Sequence, residues 1–203
     1  MSGYSKSRSD YNLNHLNLTN FSVQNGKVIG VVHAVSVGVS KHPVSDEEFA
    51  PGATKELRTC AFIAKACAER ICELRGIPFT QDDRERYFYE FDPLESDRKG
   101  QSGGVAITIA TLSKILKRHP VKGLCTTGQI TNYGLMIKVG GLAQKIKAAK
   151  AMNMDKILLP KTMEEDYKKL KEKYKKGIKP IFAENIDDVF DVIFPPDAPP
   201  VAP

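Results

Sequence analysis

Short apolar or β-branched runs alternate along this chain with stretches of helical periodicity. The run KVIGVVHAVSVGV, starting at Lys27, is rich in β-branched residues and predicts a strand or hairpin arm. After the polar connection KHPVSDEEFAPG, Thr54 stands where an N-cap belongs, and the helix behind it runs to about Arg75 before Gly76 and Pro78 stop it. Leu57, Phe62, Ile63, Ala66, Ile71 and Leu74 recur at roughly helical spacing and are expected to form its apolar stripe. RYFYEFD (Arg86 to Asp92) alternates as a strand, and the turn DRKGQSGG leads into a second helix, VAITIATLSKILKR. KGLCTTG and YGLMIKVGG read as short strands around a turn at Gln129 to Asn132, followed by the helix LAQKIKAAKAMN and the strand KILLP. TMEEDYKKLKEKYKK predicts an exposed helix, and IKPIFAENIDDVFDVIF a strand and then a short helix. This alternation predicts one α/β (α+β) domain over residues 26–195, without repeats. The polar, aperiodic residues 1–25 are expected to be a flexible leader, and 196–203 a mobile proline-rich tail.

Composition changes this picture little. In 203 residues, 41% hydrophobic and 27% charged content excludes global disorder. No run approaches the ~18 apolar residues of a membrane span, so no membrane association is expected. The N-terminus lacks the basic-then-apolar pattern of a signal peptide, and with Asp10 it makes a poor mitochondrial presequence. Cys60, Cys67 and Cys72 fall within one helical pattern and Cys125 within an apolar run, which reads as reduced core thiols. His15, His33, His42 and His119 are scattered without zinc-site spacing, so neither metal nor cofactor is expected. The expected location is the cytoplasm, a reducing compartment, with the mitochondrial matrix as the alternative. The net charge of +6 matters more for where it lies. Between Lys161 and Lys179 eight lysines face Glu164, Glu165, Asp166 and Glu172, with no nucleic-acid motif alongside. A solvated helix face is the simpler reading, and weak binding to nucleic acid or another acidic surface is its rival.

Two patterns carry candidate chemistry. In KGQSGG, Ser102 is flanked by Gly100, Gly103 and Gly104 ahead of a helix, where free N–H groups and the helix dipole suit a developing oxyanion. A serine in that place also serves as a plain N-cap. In GGLAQKIKAAK, Lys145 lies among Leu142, Ile146, Ala149 and Met152 on one helix face, with Lys147 and Lys150 on the other. Either Lys145 snorkels from the edge of that stripe, or desolvation lowers its pKa enough for it to act as a base. Serine is a weak nucleophile until a base takes its proton, and a neutral amine can do so.

Together the patterns resemble the proteolytic domain of the Lon protease family. The stretch from Lys99 to Lys161 carries the resemblance: Ser102-Gly103-Gly104, then Thr127-Gly128-Gln129-Ile130, Gly134, Val139-Gly140-Gly141 with Lys145, and Leu158-Leu159-Pro160. GKVIGVVHAVSVG and ENIDDVFDVIF are similar to the family's opening and closing segments. The resemblance implies Ser102 as nucleophile, Lys145 as general base and Thr127 as the hydroxyl that orients its amine. Backbone N–H groups at Gly100, Gln101 and Gly103 would form the oxyanion hole, and Gly128, Gly140 and Gly141 would be structural. Lys99 and Gln101 stand where the family often has an acid before the serine, Gln129 replaces a glutamate, and Phe88 and Glu90 occupy positions that hold histidines in many members.

The activity expected from the resemblance is that of a serine-type endopeptidase. It would work without ATP on unstructured peptides or proteins, since no Walker sequence or room for one is present. A homo-oligomer, ring-shaped or otherwise, and a separate ATPase partner are further expectations. The alternative is a catalytically impaired Lon-like pseudoprotease serving as an interaction or assembly module.

Overall fold

The computed structural model describes residues 15–24, 27–40, 54–79, 86–92 and 100–196. In chain order these form β1 (His15–Gln24), β2 (Lys27–Ser40), α1 (Lys55–Leu74), β3 (Arg86–Asp92), α2 (Gly104–Leu116), β4 (Leu124–Thr126), β5 (Gln129–Ile130) and β6 (Met136–Ile137). There follow α3 (Leu142–Ala151), β7 (Lys156–Pro160), α4 (Glu164–Lys168), α5 (Glu172–Lys175), β8 (Lys179–Ala183) and α6 (Phe190–Ile193). Six strands make one sheet in the order β3-β2-β1-β4-β7-β8, while β5 and β6 pair as a separate hairpin. β1, β2 and β3 are antiparallel neighbours, whereas β1, β4, β7 and β8 run parallel.

The strand sequences explain the layering. In β7, Leu158 belongs to the cluster built around α1 and α2, while Ile157 and Leu159 belong to the one around α3, Met163 and Tyr167. Successive side chains of a strand leave on opposite faces, so an unbroken apolar run such as KILLP must be covered on both. The result is a mixed α/β domain in three layers, with α1 and α2 over one face of the sheet and α3 over the other. Each of those three fully buried side chains contributes about 1.5–3 kcal/mol of apolar burial.

Thr54 caps α1 as its sequence predicts, its hydroxyl accepting the Leu57 N–H at 3.4 Å. The buried stripe of α1 differs from the expected one. It consists of Leu57, Cys60, Ala61, Ala64, Cys67, Ala68, Ile71 and Cys72, whereas Phe62 and Leu74 are exposed. Small residues let α1 lie close against α2, close enough for the Thr108 hydroxyl to donate to the Ala64 carbonyl at 3.3 Å. All four cysteines are buried, unpaired thiols.

Three further expectations change. His15–Gln24, assigned to the leader, is strand β1, because its backbone pairs along its whole length with β2 and at Asn17 and Leu18 with β4. The turn expected at Gln129 to Asn132 lies later, from Thr131 to Gly134, since Gln129 and Ile130 are themselves paired with Ile137 and Met136. The helix expected over TMEEDYKKLKEKYKK breaks into a 3-10 turn (Lys161–Met163), α4 and α5. A continuous helix would stack Lys169 on Lys173 and Lys171 on Lys175, like-charged pairs four residues apart. Residues 1–14 and most of the proline-rich tail, 197–203, lie outside the described residues.

Candidate active site

α2 starts one residue later than a capping role for Ser102 requires. Gly103 is the N-cap and supplies no side-chain bond, so the plain N-cap reading of Ser102 does not hold. Ser102 itself is half-buried in a turn stitched to its neighbours. The Gly128 N–H donates to the Ser102 carbonyl at 3.0 Å, and the Val105 N–H donates to the Gly128 carbonyl at 3.2 Å. On the other side, the Gln101 carbonyl accepts the Gly104 N–H at 3.3 Å and the Cys60 thiol at 3.5 Å. This close approach needs residues without side chains. A Cβ on Gly104 would lie 2.9 Å from the Ile130 backbone nitrogen, and one on Gly128 2.9 Å from a Val105 methyl.

Lys145 comes from the other side of the sheet. α3 opens on Gly141, whose φ of +75° is a left-handed conformation that favours glycine. Gly140 is different, because a Cβ there would meet open space. Lys145 lies in the first full turn, its N–H donating to the Gly141 carbonyl at 3.0 Å. Helical side chains lean toward the N-terminus, which carries the amine back toward the carboxyl end of β4. There Lys145 Nζ donates to Thr127 Oγ1 at 2.9 Å, and Thr127 Oγ1 in turn donates to the Ser102 carbonyl at 3.5 Å. Thr127 is held by its own N–H on the Leu158 carbonyl at 3.4 Å, in line with the β4–β7 ladder.

Lys145 is completely buried, as is Thr127. The snorkelling alternative therefore fails, because an edge lysine keeps its ammonium in water. Burial lowers the Lys145 pKa from its ordinary value to about 8, since the surroundings disfavour the charged amine. A usable fraction of neutral amine thus exists near neutral pH, and a neutral amine can accept a proton from a hydroxyl. Of the apolar partners expected on this face, Leu142, Ile146 and Ala149 are buried, while Met152 is exposed at the end of α3.

The remaining sequence candidates fall as follows. Gly100 and Gln101 are exposed just before Ser102. Gln129 lies in β5, Phe88 and Glu90 lie in β3, and Lys99 is outside the described residues. Cys60 is a contact the sequence reading overlooked. The signal was present, because positions 57, 60, 61, 64, 67, 68, 71 and 72 form a helical stripe once cysteine and alanine are counted as apolar.

Fold and site together define a three-layer α/β domain with an amine buried behind a serine-bearing turn, at the carboxyl end of a parallel strand. Residues 95–195 match the Lon protease (S16) C-terminal proteolytic domain, and the chain belongs to that family. It is 37% identical over 98 residues to a mitochondrial Lon protease homolog of Scheffersomyces stipitis, covering 48% of this chain and 9% of that protein. It is 33% identical over 96 residues to Lon protease 2 of Borreliella burgdorferi, covering 47% of this chain and 12% of that protein. A Lon protease of Aster yellows witches'-broom phytoplasma is 28% identical over 138 residues, 68% of this chain and 17% of that protein. The matched region thus spans only a small part of each relative's length. Among the described residues, no helix is long and apolar enough to cross a membrane.

Proposed function

We propose that this chain is a serine peptidase of Lon type that cleaves unstructured polypeptides through an acyl-enzyme on Ser102. The observation that carries the reading is the buried Lys145 amine, 2.9 Å from the Thr127 hydroxyl that reaches the Ser102 carbonyl. In the proposed cycle, neutral Lys145 takes the Ser102 Oγ proton as Oγ adds to the scissile carbonyl. Backbone N–H groups among Gly100, Gln101 and Gly103 hold the resulting oxyanion. The Lys145 ammonium then protonates the departing amine as the C–N bond breaks, which leaves the acyl-serine. Water repeats the sequence, giving its proton to Lys145 and its oxygen to the acyl carbon, and Ser102 Oγ leaves with the proton from Lys145. Thr127 keeps the amine aimed throughout. The reading needs neither ATP nor a cofactor. It extends to assembly as a homo-oligomer, with any unfolding power supplied by a separate ATPase chain, in the cytoplasm or the mitochondrial matrix.

The test is cleavage of a fluorogenic peptide and of unfolded casein, with mass-spectrometric mapping of the adduct left by a serine-reactive electrophile. Modification confined to Ser102, and loss of at least about 10³-fold activity in Ser102→Ala with an unchanged melting temperature, support the proposal. A wild-type chain that is folded, unlabelled and inactive overturns it in favour of the interaction module.

A further inference from the structure

α1 reaches the serine-bearing turn through a side chain that the proposed cycle does not use. The Cys60 thiol donates to the Gln101 carbonyl at 3.5 Å, and the same oxygen accepts the Gly104 N–H at 3.3 Å. We infer that Cys60 is a positioning residue for Ser102: it holds the peptide before the serine and so sets the direction in which the hydroxyl leaves the backbone. The inference rests on the peptidase reading, because it gives Cys60 a part in the chemistry of Ser102.

The direction of a Cα–Cβ bond follows from the two peptide planes that meet at that Cα. The plane after Ser102 is held through its carbonyl, which accepts the Gly128 N–H at 3.0 Å and the Thr127 hydroxyl at 3.5 Å. The plane before it is held through the Gln101 carbonyl, whose two lone pairs take the Gly104 N–H and the Cys60 thiol. A trans peptide sets its N–H opposite its carbonyl, so a Gln101 carbonyl aimed at α1 turns the Ser102 N–H away from α1. Rotation of this plane would move the Ser102 Cβ together with the neighbouring N–H groups of Gln101 and Gly103.

The thiol suits a holding role. Burial pushes it up to about 12, so at neutral pH it stays an S–H donor and not a nucleophilic thiolate. Its sulfur also packs beneath the start of α2, where a Cβ on Gly104 would lie 3.3 Å from it. Loss of the thiol would leave the Gln101 carbonyl one donor short beside an empty space, which frees the peptide to rotate. Cys72 is equally a buried thiol of α1, but it lies about 18 Å farther along the helix, within the apolar core.

The experiment compares Cys60→Ala, Cys60→Ser and Cys72→Ala in peptide cleavage, in the rate at which a fluorophosphonate labels Ser102, and in thermal melts. Alanine and serine leave nearly the same space and differ by one hydroxyl donor. Cys60→Ala should lower kcat by about five- to tenfold, slow labelling in proportion, and change KM by less than about twofold. The pH at which kcat rises should stay as in the wild type, because Lys145 is untouched. Cys60→Ser should recover most of the rate. Cys72→Ala should lose comparable stability and keep kcat within about twofold. Cys60→Thr against Cys60→Val, alike in shape, repeats the comparison with the space filled where Cys60→Ala does not fold. Equal rates within either pair, or equal kcat losses in Cys60→Ala and Cys72→Ala, reduce Cys60 to packing and overturn the inference. A folded wild type that neither cleaves nor labels overturns the peptidase reading and this inference with it. An active, labelled wild type matched by a fully active Cys60→Ala overturns this inference alone.

Discussion

The amino end of α3 and the α4–α5 segment are both rich in lysine, and they use it oppositely. At Lys145 the ammonium is stripped of water, and burial alone brings its pKa to about 8. In α4, Lys168 is exposed between Glu164 and Glu165, at 3.2 and 2.8 Å, and those carboxylates raise its pKa. The same side chain is therefore a candidate base where it is desolvated and a permanent cation where it is hydrated and paired. Sequence spacing separates these cases only partly, because Lys145 and Lys147 are two positions apart on one helix and face different media.

The largest way to break the contrast is to remove the buried amine. Lys145→Met should lower kcat by roughly 10²–10⁴-fold, the usual contribution of a positioned base. Lys145→Arg should not rescue it, because a guanidinium stays charged. In the wild type, kcat should rise with pH through about 8 rather than 10.5. An acid limb at the ordinary lysine value would separate Lys145 from the chemistry.

The same substitution tests the energetics. The folded chain holds Lys145 with a lower pKa than the unfolded chain does, so the unfolded state binds the extra proton between those values. Below pH about 8 the full cost, about 3 kcal/mol, is present, and it is relieved as pH rises toward 10.5. The buried thiols, raised to about 12 at Cys60, Cys67 and Cys125, act the other way above their ordinary value of 9. Urea midpoints should therefore be compared at pH 7 and 9, where the wild type gains stability relative to Lys145→Met. Parallel pH profiles for the two proteins would contradict the desolvation argument.

Thr127→Val sharpens the comparison at smaller scale. It removes a hydrogen bond to a charged group, worth about 1.5–3 kcal/mol, and should lower kcat by roughly ten- to a hundredfold. Thr127→Ser keeps the hydroxyl and should recover most of the rate. The smallest effect belongs to the exposed region, where Lys168→Ala should shift stability by less than about 0.5 kcal/mol in thermal melts.

Much of this arrangement was legible in the residues. The glycines around Ser102, the Gly-Gly before α3 and the lone lysine on an apolar stripe point to one place because backbone turns and helical phase are local properties. Thr54, Gly76 and Pro78 bounded α1 for the same reason. What escaped depends on distant partners. Polar His15–Gln24 becomes a strand because β2 and β4 offer it hydrogen bonds, and the sequence of a strand does not name its neighbours. Phe62 looked like core, yet the face of α1 that packs is the one with small residues fitting α2. The break between α4 and α5 was hidden because Met163, Tyr167, Leu170 and Tyr174 keep helical spacing straight across it.

Ser102, Thr127 and Lys145 all lie on one uninterrupted length of chain, joined to one another by bonds made within that length. From outside that length, α1 sets the Cys60 thiol against the Gln101 carbonyl and β7 sets the Leu158 carbonyl against the Thr127 N–H. Groups linked within one short stretch keep their relative positions wherever that stretch is kept together with the α1 and β7 that brace it.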